Sequence, residues 1–426
     1  MKRDKARLLI SDNKGKIYDF PSLEACGMKG GHFFKLSTDE LIKLPYGSEI
    51  FMLPERKAVG YDSKKRKIMV LDKYFAVSAF VSPGYTITYN SAYEEQKNPK
   101  ILPLFAYGAL AFYKGAFYAA ALRVDRERRH DLRLMDMKSV IKNAKKINKL
   151  YPKNRLMKHL ETCALTYGCP TAKNFFLGKY EAPLPASPSC NSACIGCISS
   201  QPYKKLSVTQ PRIKFVPSAY EIAEVAIHHI KTARDPIVSF GQGCEGEPLL
   251  AGNVIIEAVK IIRRHGNKGM INMNTNASRP DIIEKLFDIG LDSIRVSFNS
   301  AKAEYYNRYY RPKGYAFNYV LDSIRIAKKK RGFVSINYLT MPGFTDLEYE
   351  FGALNKLIKK FKIDMIQWRN LNYDPSAYFR QLQISPEVNK MLGIKQIIYE
   401  LKKRFPRLMH GYFNPSRKRI LINSNI

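Results

Sequence analysis

The sequence predicts an α/β protein: an open, partial (βα)6 barrel preceded by an N-terminal α+β accessory unit. Three observations lead there. Between residues 218 and 368, short apolar segments alternate with amphipathic segments of helical period, the mark of right-handed βα units on a parallel sheet. Polar residues gather where the apolar segments end, which is where such a barrel carries its chemistry. Three of the seven cysteines, Cys190, Cys194 and Cys197, fall within eight residues just ahead of the first complete unit.

The first hundred residues alternate short apolar runs (8–10, 50–53, 68–71, 75–77) with turn signals and read as β-rich. The stretch 102–122 is apolar apart from Lys114 and long enough to span a bilayer. Lys114-Gly115 stands in its middle as a turn, however, so two strands of a buried hairpin, 105–113 and 117–124, are expected instead. Residues 123–133 form a charged, solvated loop. From 138 to 165 the pattern turns helical and basic, with Lys142, Lys145, Lys146, Lys149, Lys153, Arg155 and Lys158 offering either phosphate contacts or a solvated face. Pro185 and Pro188 make an extended approach to the cysteines. Helices are expected at 218–231, 253–264, 281–289, 318–330 and 347–361, and strands at 236–240, 270–275, 293–298, 333–339 and 364–368. A strand before Cys190 completes six repeats. The expected domains are 1–180, a β-rich then basic helical accessory unit; 184–375, the barrel; and 376–426, a basic C-terminal extension.

Hydrophobic residues at 45% and charged residues at 25% of 426 are those of a globular chain, which sets disorder aside. The start, Met1-Lys2-Arg3-Asp4-Lys5, has no apolar run behind it, so no signal peptide is evident and a cytoplasmic location without membrane contact is expected. Reduced thiols reserved for metal agree with that. Lys and Arg number 71 against 37 Asp and Glu, a formal charge of +34. Heat-adapted surfaces raise Glu together with Lys. Here the acids do not keep pace, and the excess fits a polyanionic partner such as RNA.

The spacing C-x3-C-x2-C lets a short loop aim three sulfurs at one point, a soft-metal site one ligand short of four. An iron–sulfur cluster with one open iron satisfies that count, as does a zinc knuckle completed from elsewhere in the chain. The loop resembles the cluster loop of the radical S-adenosylmethionine (radical SAM) superfamily, and the likeness extends over about 184–375. The resemblance implies a TIM-like partial barrel, a [4Fe-4S] cluster on Cys190, Cys194 and Cys197, SAM on the open iron, and an electron donor such as a flavodoxin or ferredoxin. It further implies reductive cleavage of SAM to a 5'-deoxyadenosyl radical. Gly246-Glu247-Pro248 resembles the family's Gly-Gly-Glu motif, with Glu245 where the first Gly would stand. Gly246, Glu247, Pro248, Asn274, Asn276, Ser297 and Asn299 are the expected SAM contacts, because buried amides and hydroxyls at strand ends need partners. The family has an aromatic residue before the third cysteine. Gly196 stands there, so Gln367 and Trp368 are the expected adenine surface.

Arg308, Tyr309 and Arg311, in a run of rings and cations, together with Arg369, are the expected substrate contacts, since aromatic faces accept bases and Arg grips phosphate. Cys244, in the SAM loop, and Tyr310 are candidate catalytic groups, as a hydrogen donor or adduct-forming thiol and a neighbouring phenol. Cys163 and Cys169 are ligands of a second site, reactive thiols, or small packed residues. No two histidines have metal-ligand spacing, and none is assigned a role. Three functions remain: a radical SAM enzyme acting on RNA, one acting on a peptide or small metabolite, and a non-catalytic Fe–S or zinc protein that binds nucleic acid.

Overall fold

The computed structural model describes residues 5–201 and 206–424, and the basic start at residues 1–4 lies outside them. Residues 7–123 form an antiparallel sheet of eleven strands. Arg7–Ser11 pairs with Ile17–Lys29 on one side and Lys67–Phe80 on the other, and those two flank Glu49–Asp62, so four strands close on one another and lose their free edges. The expected hairpin is present as Leu110–Tyr113 and Ala116–Arg123. Lys114 and Gly115 turn it with φ of 46° and 73°, the left-handed pair that matches strand twist. Among the described residues no helix is long and apolar enough to cross a membrane.

The basic segment after the sheet is not one helix but two, Met137–Leu150 and Arg155–Leu165, followed by a short third, Pro170–Phe176. Asn154 breaks it: its side chain accepts from the Met157 amide and caps the second helix. All three helices pack into the core of the parallel sheet, through Val140, Ala144, Leu156, Leu160 and Phe175.

That sheet holds seven parallel strands in chain order: Glu181–Pro183, Ile237–Phe240, Met270–Thr275, Ser293–Phe298, Phe333–Thr340, Met365–Asn370 and Met409–Gly411. Each of the first five crossovers carries a helix on its outer face, the half-barrel that the alternation predicts. The seventh strand extends the six expected ones. Ile294, Val296, Ile336, Ile366 and Trp368 point outward into the helices and are fully buried. The inner face is polar instead, with Ser239, Asn272, Asn274, Arg295, Ser297, Asn337, Gln367 and Arg369, the alternation a strand of period two imposes.

The antiparallel sheet docks where the fifth and sixth strands end. Asn370 accepts from the Ile87 amide at 2.9 Å and the Thr86 hydroxyl at 3.0 Å, and donates to the Tyr85 carbonyl. A Cβ on Gly343 would stand 2.1 Å from the Gly30 nitrogen, so the two backbones touch only because Gly343 lacks a side chain. Beside them Arg56 donates to Asp374 at 2.8 Å with neither side chain exposed, and Asp374 also accepts from the Leu102 and Ala377 amides. Removing one member of a buried pair strands the other, at about 3–5 kcal/mol. Asp374→Ala is therefore expected to lower unfolding free energy by that amount in a denaturant titration. A loss under about 1 kcal/mol would mean that the pair does not hold the two sheets together.

Candidate active site

The three cysteines sit on a loop gripped from two sides. The Ala193 and Ile195 amides donate to the carbonyls of Tyr310 and Tyr309 at 3.0 and 3.1 Å, on the helix Ala303–Tyr310. On the other side, Asn276 at the end of the third strand donates to Asn191 Oδ1 and Ser192 Oγ at 2.8 and 3.1 Å. Cys194 is the deepest thiol: burial, then the charges of Cys197 and Cys190, push it well above the usual thiol range. Burial and then Glu247 push Cys190 up to about 11. Burial also acts to raise Cys197, but the Ser199 hydroxyl, local backbone amides and the Arg212 guanidinium outweigh it and hold this thiol below its ordinary value. Arg212 Nη2 lies 3.6 Å from Cys197 Sγ. The thiols thus converge closely enough to feel one another's charge, the arrangement that a cation binding thiolates relieves.

The loop after the second strand lies against this one. Glu245 turns its carboxylate inward and accepts four backbone amides, those of Ala186 and Ser187 at 2.8 and 3.1 Å and of Gly241 and Gln242 at 2.6 and 2.7 Å. Burial pushes its carboxyl up to about 7 against the pull of those donors. Where the resembled motif has its first Gly, a carboxylate stitches the ends of the first two strands together. The next two positions follow from this closeness. A Cβ on Gly246 would stand 2.0 Å from the Ser189 carbonyl oxygen, and the Gly246 and Glu247 amides donate to Ser187 and Ser189. Glu247 accepts from the Leu249 amide, the Asn276 amide and the Thr275 hydroxyl. Burial pushes it, too, up to about 7. A carboxylate has about four lone-pair sites, so one on Glu247 is left for a further donor. Pro248 starts the short turn Pro248–Ala251 and is buried.

The strand-end amides are engaged by the protein itself. Asn274 donates to the Gly241 carbonyl and accepts from Asn272 and Asn414, and Asn276 spends its amide on the cysteine loop. Both are satisfied by the protein and act as braces. Asn299 is fully buried and donates to Tyr378 and the Tyr305 carbonyl, which leaves its Oδ1 without a partner among the described residues. Ser297 is half-buried on the inner face. Gln367 faces inward and bonds Arg295 and Asn414 at 3.1 and 3.0 Å. Trp368, one residue on, cannot share that face. It stacks on His410 at 8° between planes and has no exposed surface, so it offers no platform for a ring. Sequence reasoning missed Arg295 and Asn337, although strict alternation puts both on the inner face. Arg295 Nε, Arg369 Nε and Asn337 Oδ1 are buried without partners among the described residues. Such orphans cost about 1–3 kcal/mol each and fit a polar ligand inside the half-barrel.

Residues 184–351 match the family model of the Radical SAM superfamily. That stretch of the chain is thus similar to the domain of that superfamily. Its members are enzymes that use a [4Fe-4S] cluster and S-adenosylmethionine. The FeMo cofactor biosynthesis protein NifB of Klebsiella pneumoniae is 24% identical over 177 residues, which cover 38% of this chain and 37% of that protein. Among solved structures, native anSMEcpe with bound AdoMet is 18% identical with a TM-score of 0.36, over 45% of this chain and 52% of that one. Methylornithine synthase (PylB) is 14% identical with a TM-score of 0.38, over 57% and 68%. The chain thus spans little more than a third of the curated relative and about half of the first structure.

Within the matched stretch the Tyr/Arg run is a helix that turns Tyr306, Tyr309 and Tyr310 inward. Tyr309 and Tyr310 are 3% and 4% exposed and cannot receive a stacked base. Arg308 donates to the Leu382 carbonyl and pairs with Glu304, and Arg311 donates to Gln381 at 2.8 Å, so both tie their helix to the neighbouring Pro375–Leu382. The Tyr309 hydroxyl fills the place beside Gly196, 2.7 Å from where a Cβ would be. Arg369 lies 3.9 Å over the Tyr412 ring on the inner face. Cys244 is buried behind the Glu245 loop, next to Cys163. Gly246→Ala is expected to push Ser189 and Cys190 apart from the loop and to reduce iron retained after anaerobic reconstitution by more than about half relative to wild type. Unchanged iron in a folded variant would show that the close approach is dispensable.

Proposed function

We propose that the chain reductively cleaves SAM to initiate a radical reaction on a substrate held inside the half-barrel. The observation that carries this is the convergence of three thiols beside the Gly246–Glu247 loop at the C-terminal ends of a parallel half-barrel. Cys190, Cys194 and Cys197 would hold the [4Fe-4S] cluster, and the fit rests on the donor set and on the close approach of the Gly246 backbone to Ser189 and Cys190. Bound together, the cluster and SAM supply a 5'-deoxyadenosyl radical. Glu247 has one acceptor site left for the SAM ammonium, and the unpaired Asn299 Oδ1 and half-buried Ser297 would add polar contacts. Asn274, Asn276 and Glu245 keep the loops in register without touching the cofactor. A small electron-transfer protein such as a flavodoxin or ferredoxin would deliver the electron.

Arg295 and Arg369 support a substrate with an acidic group. Burial and the charge of Arg369 pull the Arg295 guanidinium down to about 9, so an anion between them relieves both repulsion and desolvation. A carboxylate or phosphate on a small metabolite or peptide fits that interior. RNA remains the second reading, because the charge of +34 has no counterpart in ordinary solubility. Mass spectrometry of nucleosides from wild-type and deletion strains tests it: a nucleoside lost on deletion supports RNA, and an unchanged set removes that reading.

Cys194→Ala, reconstituted anaerobically with iron, sulfide and dithionite, is expected to form no 5'-deoxyadenosine from SAM. Formation at the wild-type rate would overturn the cluster assignment. Arg369→Gln is expected to leave SAM cleavage without substrate intact and to lower substrate turnover by about ten- to a hundredfold, the value of a charged hydrogen bond.

A further inference from the structure

A second thiol-rich cluster lies outside the machinery above. Cys163 and His159 stand one turn apart on the helix Arg155–Leu165, four residues in sequence, so both side chains share a face. Their Sγ and Nε2 are 3.5 Å apart. Cys244, eighty residues later on the Gln242–Gly246 loop, brings its Sγ to the same place, and the three ligand atoms all lie within 4.8 Å of one another. Cys169 follows in the turn after the helix, its amide donating to the Cys163 carbonyl at 2.9 Å. Its thiol is within electrostatic reach of both Cys163 and Cys244. Three groups that ligate soft metals thus come from one helix and one loop, with Cys163 and Cys244 almost wholly buried, and Cys169 stands outside that compact group as the available fourth.

We propose that His159, Cys163, Cys169 and Cys244 bind a single zinc ion. The compactness chooses the metal. Tetrahedral zinc with bonds of about 2.0–2.3 Å spaces its ligand atoms by roughly 3.5–4 Å. A four-iron cluster holds its cysteine sulfurs considerably farther apart, so three ligand atoms crowded within 4.8 Å suit one ion rather than a cubane. Three thiolates and an imidazole are a standard structural zinc set, closed to substrate. The ion would staple the helices of residues 155–176 to the loop that carries Glu245, Gly246 and Glu247. It would also fix the segment after the cysteine loop, because the Cys244 carbonyl accepts from the Ile213 amide at 2.7 Å. The site does not depend on the radical SAM reading, since none of its ligands belongs to the C-x3-C-x2-C loop.

The test uses the full chain with Cys190, Cys194 and Cys197 all changed to Ala, so that no iron–sulfur cluster forms there. Grown with added zinc and dialysed, this protein is expected to hold about one zinc per chain by elemental analysis. Cobalt in its place should give thiolate charge-transfer bands and the d–d bands of a tetrahedral ion. Cys163→Ser or Cys244→Ser in the same background should cut zinc to below about a tenth per chain, whereas Cys26→Ser, a buried thiol in the antiparallel sheet, should leave it unchanged. If the Ser variants fail to fold, the parent protein still decides. Bound zinc should shield Cys163, Cys169 and Cys244 from alkylation, read by peptide mass spectrometry, and chelation should expose them. Zinc near zero in the folded parent, a Cys163–Cys244 disulfide, or iron and sulfide retained without the other three cysteines would each overturn the proposal.

Discussion

Four backbone amides converge on the carboxylate of Glu245, and the spacing of the two loops that meet in the site depends on that contact. It joins the chain leaving the first strand to the chain leaving the second, and so decides how near the cysteine loop comes to the Gly246–Glu247 turn. Charge-assisted bonds of this kind are shorter and stronger than neutral ones, and an apolar side chain in its place would leave several buried donors empty. The closeness it enforces is why Gly246 must lack a side chain, and why the Glu247 amide reaches Ser189. A family motif written with two glycines has here become one glycine and one internal ligand.

How far the sequence could be read depended on the range of the interaction. The strands Met270–Thr275 and Ser293–Phe298 are legible to the residue, because burial on one face and polarity on the other are local patterns. The break at Asn154 was hidden, because the basic amphipathic period runs on through it and only a capping bond marks the stop. Trp368 shows a different limit: the strand was recognised, but which of two adjacent residues faces inward depends on register with its neighbours. Asn274 and Asn276 were rightly seen as buried amides in need of partners. Their partners, Asn414 and Asn191, lie 140 and 85 residues away, and nothing local announces them. The same distance hid His159, which means little until Cys244 is folded against it.

The polarity of the half-barrel's inner face is dear in the absence of a ligand. Arg295, Arg369, Asn337 and Asn299 each keep an unpaired atom there, while Ile294, Val296, Ile336 and Ile366 on the outward face of the same strands are fully buried. A core built for stability alone would place aliphatic residues at those positions. The strands thus carry two opposed designs on alternate residues, one for cohesion with the helices and one for a guest.

The sixth strand carries a third assignment at its end. Asn370, held at three points by Tyr85, Thr86 and Ile87, directly follows Arg369, which reaches inward over Tyr412. One peptide bond separates the hinge pin of the neighbouring sheet from a cation on the inner face. The contacts that anchor that sheet are thus made at the strand end that carries the guanidinium. The antiparallel unit is therefore anchored a single residue away from the polar interior of the half-barrel.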